Sequence, residues 1–272
     1  MAEPVLDYEA LRPGQPYPAI PCCLEPGQVA QYLQATAEHH PLYAQGYVPP
    51  LFPSMVRWVK ASLGGRWPSG TLHLAQHLEL RRPLHGGEAL RLGVTVGDKE
   101  VRHGRRYVQL HATAWDAKAQ PVVQSRMHLL WAGATQEAAP RPAAFPGDTA
   151  EPEGRPLPRL AATFTRAMVE AYAEIAAARD PLHLDPDYAR HTRFGANVVQ
   201  GLLLLTLPAR LLVQAFGLRW LASGTLSARF RQPVFVGEQA TVQGVETRPG
   251  HCLLWCTNAR GERVLSAEAL LG

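Results

Sequence analysis

His183 stands two residues beyond Pro181, at the end of an amphipathic run that begins near Tyr172. Gly201 opens the most apolar run of the chain a short distance further on. An imidazole moves protons near neutral pH, and a backbone N–H at the head of a helix holds developing negative charge. Brought together, the two can shift a proton on a carbonyl compound while holding its oxygen. Asp180, three residues before His183, is the nearest carboxylate that could share the work. Asn197 and Gln200, just before the apolar helix, are the polar neighbours available to a substrate.

The elements that must position these groups read as a repeat. Laid over Tyr172–His183 (YAEIAAARDPLH), the segment Tyr32–Tyr43 (YLQATAEHHPLY) matches at its Tyr, at Ala37, and at its Pro-Leu pair. Downstream, Gly70-Thr71-Leu72 matches Gly224-Thr225-Leu226. The pattern of Pro83 with Gly87-Glu88 returns at Pro233 with Gly237-Glu238. Apolar residues at helical spacing run from Leu51 to Leu63 and from Val198 to Phe216, stopped by Gly64 and Gly217. Alternating segments at Tyr107–Trp115, Val122–Trp131, His251–Thr257 and Arg263–Leu270 read as strands. Residues 1–19 read as a surface wrap. An Ala-, Pro- and Gly-rich stretch reads as a linker at 133–158, dividing a first half at 1–132 from a second at 159–272. Each half then needs one helix to cover the apolar face of an antiparallel sheet. The expected class is α+β, a double hotdog with two antiparallel sheets each wrapped around a central helix and joined edge to edge.

The block from Tyr172 to Leu205 resembles the hydratase motif of the MaoC-like, R-specific enoyl-CoA hydratases. There, Tyr-Ala-x-x-Ser-Gly-Asp-x-Asn-Pro-x-His precedes a His-Gly at the head of the central helix. Tyr172, Ala173, Pro181, His183 and Gly201 stand at the matching positions. The resemblance implies reversible hydration of a 2-enoyl thioester of CoA or an acyl carrier protein, with His183 as acid/base and the Gly201 amide on the thioester oxygen. It implies no cofactor. Three positions depart: the family Asp falls on Ala178, its Asn on Asp180, and the His before the glycine on Gln200. Three readings therefore stay open. Asp180 supplies the carboxylate; or His183 works with a water and Gln200 or Asn197; or the site binds, or hydrolyses, acyl thioesters without hydrating them. In the first half Glu38 occupies the Asp position and Tyr43 the His position, which suggests a half given over to binding the acyl tail.

Composition narrows the classes. The chain has 272 residues, 46% apolar and 18% charged, with a net charge of +4 and no basic run beyond paired arginines. That suits an anionic ligand and argues against nucleic acid as partner. The apolar run at 198–209 is too short for a bilayer, so no membrane span is expected, and a cytoplasmic location follows from the lack of a leader. Cys252 and Cys256 on one strand, and His73 and His77 on another, would each be about 13 Å apart, beyond a shared bridge or metal. The double hotdog is expected as a monomer or a homodimer.

Overall fold

The computed structural model describes residues 3–132 and 152–272. The first half runs β1 (Ile20–Cys23), α1 (Pro26–Thr36), α2 (Pro41–Ala44), a 3-10 turn at Phe52–Ser54, α3 (Val56–Leu63), β2 (Leu72–Leu80), β3 (Ala89–Arg102), β4 (Arg105–Trp115) and β5 (Pro121–Trp131). The second runs β6 (Arg155–Pro156), β7 (Leu160–Thr163), α4 (Arg166–Ala176), α5 (Pro181–Leu184), α6 (Pro186–Arg190), α7 (Gly201–Phe216), α8 (Leu218–Ser223), β8 (Gly224–Phe230), β9 (Gln239–Arg248), β10 (His251–Asn258) and β11 (Arg263–Leu271).

The strands form one continuous antiparallel sheet in the order β1-β3-β4-β5-β2-β8-β11-β10-β9-β6, with β7 also on β9. The two halves meet where β2 pairs with β8, Gln76 opposite Ala228 and Leu78 opposite Leu226. The edge-to-edge expectation is met by a single eleven-stranded sheet, so the halves share hydrogen bonds as well as side chains.

The expected helix over 51–63 is broken. Pro53 sits in the 3-10 turn, Met55 is extended (φ −58°, ψ 144°), and only Val56–Leu63 is α-helical. Its counterpart α7 is sixteen residues long, and almost its whole first three turns are buried, because it lies beneath the second half of the sheet. Val198 and Val199 precede that helix as extended chain tied to Phe235 and Val234. The amino-terminal wrap is pinned: Tyr8 and Leu11 are buried, and the Tyr8 hydroxyl donates to the Glu100 carbonyl at 2.8 Å. Of the expected linker, 133–151 lie outside the described residues, while Arg155–Pro156 pairs with β9 and Leu157 donates to Gly244. The two helices carrying the repeated motif, α1 and α4, pack together with the buried rings of Tyr32 and Tyr172 at 6.2 Å. The four cysteines are free.

Candidate active site

The end of α4 sets the site. Ala177 closes that helix in the left-handed conformation (φ 50°), and the Ala178 N–H returns to the Ala173 carbonyl, a turn that glycine usually makes. Asp180 then caps α5: one carboxylate oxygen accepts from the Leu182 N–H at 2.8 Å. The other accepts from the Gly70 N–H of the first half at 2.9 Å. Asp180 is thus both a cap and a tie between halves, with each oxygen holding a backbone donor.

On α5, His183 reaches the Val198 carbonyl through Nδ1 at 2.8 Å. A carbonyl only accepts, so Nδ1 bears the hydrogen and Nε2 is left as the basic nitrogen. Burial lowers the His183 pKa below its usual value and outweighs Val198 and Asp180, which raise it, while Lys60 lowers it further. The imidazole is neutral at pH 7. Gly201 heads α7, whose first turn has no side-chain cap. A side chain on Gly201 would meet Phe230 at 3.2 Å and His73 at 3.4 Å, so glycine lets both strands close on the helix head.

A cavity of about 930 Å³ joins these groups. His183, Asp180, Ala178, Gln200 and Gly201 line it from the second half; Lys60, Arg66, Trp67, Leu72 and His73 line it from the first. Arg179, Arg193 and Arg231 add to the wall, against Glu3, Glu174 and Asp180, leaving it net basic. The expected site residues separate accordingly. His183, Asp180, Gly201 and Gln200 come together, and Gln200 spends its amide on the Val169 carbonyl at 3.0 Å. Asn197 does not face the cavity. Its amide donates to the Leu182 and Asp185 carbonyls, both at 3.0 Å, and its oxygen accepts from Arg166, so it fixes the elbow that carries His183. Tyr43 lies in the core of the first half, 8% exposed, beside buried Glu38 and away from the cavity wall. There burial raises the Glu38 carboxyl to about 7, and Tyr43, Arg210 and Thr36 recover only part of that rise. As placed, neither Asn197 nor Tyr43 can touch a ligand in this cavity.

The first-half wall was not anticipated. A bulge between His73 and Ala75 brings His73 to the cavity, while His77 bonds Ser227 at 2.8 Å on the adjoining strand. The bulge breaks the alternation that would have set both on one face. Among the described residues no cluster of His, Cys, Asp or Glu is arranged to hold a metal, and no helix is long and apolar enough to cross a membrane.

Residues 148–252 match the family model of the MaoC like domain. The match covers less than half of the chain. The matched segment contains α4–α7 and thus His183 and Gly201. An (R)-specific enoyl-CoA hydratase of Aeromonas caviae is 38% identical to the chain over 85 residues, 31% of this chain and 63% of that enzyme. The chain spans between half and two thirds of the length of the curated relatives it matches. Among solved structures, a MaoC-like dehydratase from Phytophthora capsici aligns over 98% of both chains with a TM-score of 0.77 at 17% identity. A conserved hypothetical protein from Mycobacterium tuberculosis with a double hotdog fold aligns over 97% of both, with a TM-score of 0.63 at 17% identity. The whole chain accordingly has the double hotdog fold, and the matched segment falls mainly in its second half.

Proposed function

We propose that the protein is a hydro-lyase that interconverts 2-enoyl and 3-hydroxyacyl thioesters of CoA or an acyl carrier protein. The observation that carries this reading is the orientation of His183: the Val198 carbonyl fixes Nδ1–H and leaves Nε2 basic in the same cavity wall as the uncapped head of α7. In the dehydration direction a neutral imidazole takes the proton from C2. The Gly201 amide holds the thioester oxygen as it gains charge, and the hydroxyl leaves from C3. The basic cavity wall fits the phosphates of CoA or of a carrier's phosphopantetheine arm. The Aeromonas caviae relative is named an (R)-specific enoyl-CoA hydratase and a second, from Arabidopsis thaliana, a mitochondrial 3-hydroxyacyl-[acyl-carrier-protein] dehydratase, which supports the same reaction class. In this reading residues 159–272 carry the chemistry, and 1–132 form the binding half, closing the cavity with β2 and α3.

A second reading has an observation behind it. Ala178 offers no carboxylate, and both oxygens of Asp180 are taken by backbone donors, which favours a protein that binds acyl thioesters without hydrating them. Following the absorbance of the conjugated enoyl thioester, with crotonyl-CoA and a longer enoyl-CoA, separates the two. Signal lost with wild type and retained with His183→Ala supports the hydro-lyase. Flat traces for both, with CoA-ester binding intact, establish the binding protein.

A further inference from the structure

In the cavity, the corner left open by Ala178 holds a cation from the other half. Lys60, in the last turn of α3, reaches across so that Nζ donates to the Ala177 carbonyl at 3.0 Å, and it lies 5.4 Å from the centre of the Trp67 ring. The carbonyl that receives it belongs to the C-terminal end of α4, where the helix dipole favours positive charge. An ammonium has three donors, and Ala177 takes one. Glu3, Asp180, Arg66 and His183 are the charged or titratable groups that face it. Burial lowers the Lys60 pKa, Glu3 and Asp180 raise it, and Arg66 lowers it. Lys60 is half-buried, and a lysine whose pKa is lowered can give up a proton, as an arginine cannot.

We propose that Lys60 is the second catalytic group of this site, the general acid that protonates the departing 3-hydroxyl in dehydration and the base that takes that proton back in hydration. The assignment rests on the hydro-lyase reading. In dehydration the C2–H bond breaks and its proton goes to His183 Nε2, the electron pair passing through C2 toward the thioester oxygen. That pair returns to form the C2=C3 double bond as the C3–O bond breaks, and the hydroxyl leaves as water with a proton from Lys60. Solvent carries a proton from His183 back to Lys60, and the enzyme ends as it began. The neutral His183 that this direction requires is the form the cavity favours, and the Lys60 ammonium is held by the Ala177 carbonyl. A carboxylate at position 178 is then unnecessary, and the cationic corner supplies the proton donor that neither Asp180 oxygen is placed to supply.

The test is the pH profile of kcat/KM for enoyl-thioester hydration in wild type, Lys60→Met and Lys60→Arg, with thermal melts to confirm folding. Lys60→Met should lower kcat/KM by about a hundredfold or more. It should also move the acid limb to higher pH, because a cation beside His183 is gone. Lys60→Arg keeps the charge and a donor for Ala177, so the acid limb should stay in place. Its rate should fall about as far, and its basic limb should move upward, since a guanidinium does not titrate there. A Lys60→Met protein within threefold of wild type, or an active Lys60→Arg with an unmoved basic limb, overturns the assignment while leaving the hydro-lyase reading intact. A folded wild type that turns over no thioester overturns that reading, and the role of Lys60 with it.

Discussion

Replacing Glu38 by Gln tests how the first half was rebuilt. Glu38 is 4% exposed, and burial holds its carboxyl at about 7 against an unfolded value near 4.5. Below pH 4.5 both states hold the proton, and the side chain contributes its full share. Between pH 4.5 and 7 the unfolded chain ionises and the folded one does not, so stability falls as pH rises. The difference of about 2.5 units is worth about 3 kcal/mol by pH 8. His73 opposes it. Burial lowers its pKa to about 4, against the Ala75 backbone and the Gln76 side chain. It therefore removes stability as pH falls from 6.5 to 4, by at most about 3 kcal/mol, since the cavity admits solvent. The wild type therefore carries two opposing slopes between pH 4.5 and 6.5, with buried His183 adding to the second. Glu38→Gln removes one of them. Urea unfolding followed by tryptophan fluorescence at pH 4.5, 5.5, 6.5 and 8 should show the variant gaining about 3 kcal/mol relative to wild type across that range, while its own stability falls on acidification. A wild-type-minus-variant difference that stays constant with pH, within the error of the extrapolation, would refute the argument.

Asp180→Ala should cost about 2 kcal/mol, because the Leu182 and Gly70 N–H groups both lose their acceptor, whereas Asp180→Asn should keep part of it and shift the acid limb of kcat/KM downward by removing a group that raises the His183 pKa. Chemical denaturation and the pH profile read these two effects separately. Ala177→Gly should raise stability by about 0.5–1 kcal/mol with turnover unchanged, since an L-residue is held at φ 50° and its carbonyl, which receives Lys60, is retained. Gly224→Ala should prevent stable folding, because a methyl there would lie 2.0 Å from the Trp220 ring at the start of the strand that joins the halves; a soluble variant with a wild-type melt would contradict this packing.

The layout of the second-half candidate site is legible because its determinants are local. Pro181, two residues before His183, fixes an elbow; Gly201 fixes a helix head; the strand segments show their alternation and their turns. Their bounds agree with the structure to within a few residues. What stayed hidden depends on contacts between halves. Gly70 reaching Asp180, Lys60 reaching Ala177 and the first-half wall of the cavity leave no periodic trace in either segment. The place of His73 is hidden because its bulge changes the face without changing the composition of the strand. The shortening of the first central helix is written in the sequence as Pro53, whose missing N–H outweighs the apolar spacing around it. Asn197 and Tyr43 have the right chemistry for a site and the wrong direction, and direction is set by partners that no single segment contains.

The halves differ in one position that the same backbone presents twice. Ala37 and Ala177 both end their helices in the left-handed conformation, and the next N–H returns to Leu33 in one half and Ala173 in the other. In each half the central helix of the opposite half sends a cation to that helix end: Arg210 to the Thr36 carbonyl at 3.4 Å, Lys60 to the Ala177 carbonyl at 3.0 Å. The residue after the turn decides what the cation does. Glu38 gives Arg210 a buried carboxyl beside Tyr43 in the core, and the cation is spent on packing and charge. Ala178 gives Lys60 nothing, and the ammonium is left facing the cavity with His183. The predicted consequence is that Ala178→Asp, which pairs Lys60 as Glu38 faces Arg210, should raise the Lys60 pKa. The basic limb of kcat/KM would then move to higher pH in a protein that still folds, whether the added carboxylate raises or lowers the rate. An unmoved basic limb would mean that position 178 and Lys60 do not share that corner.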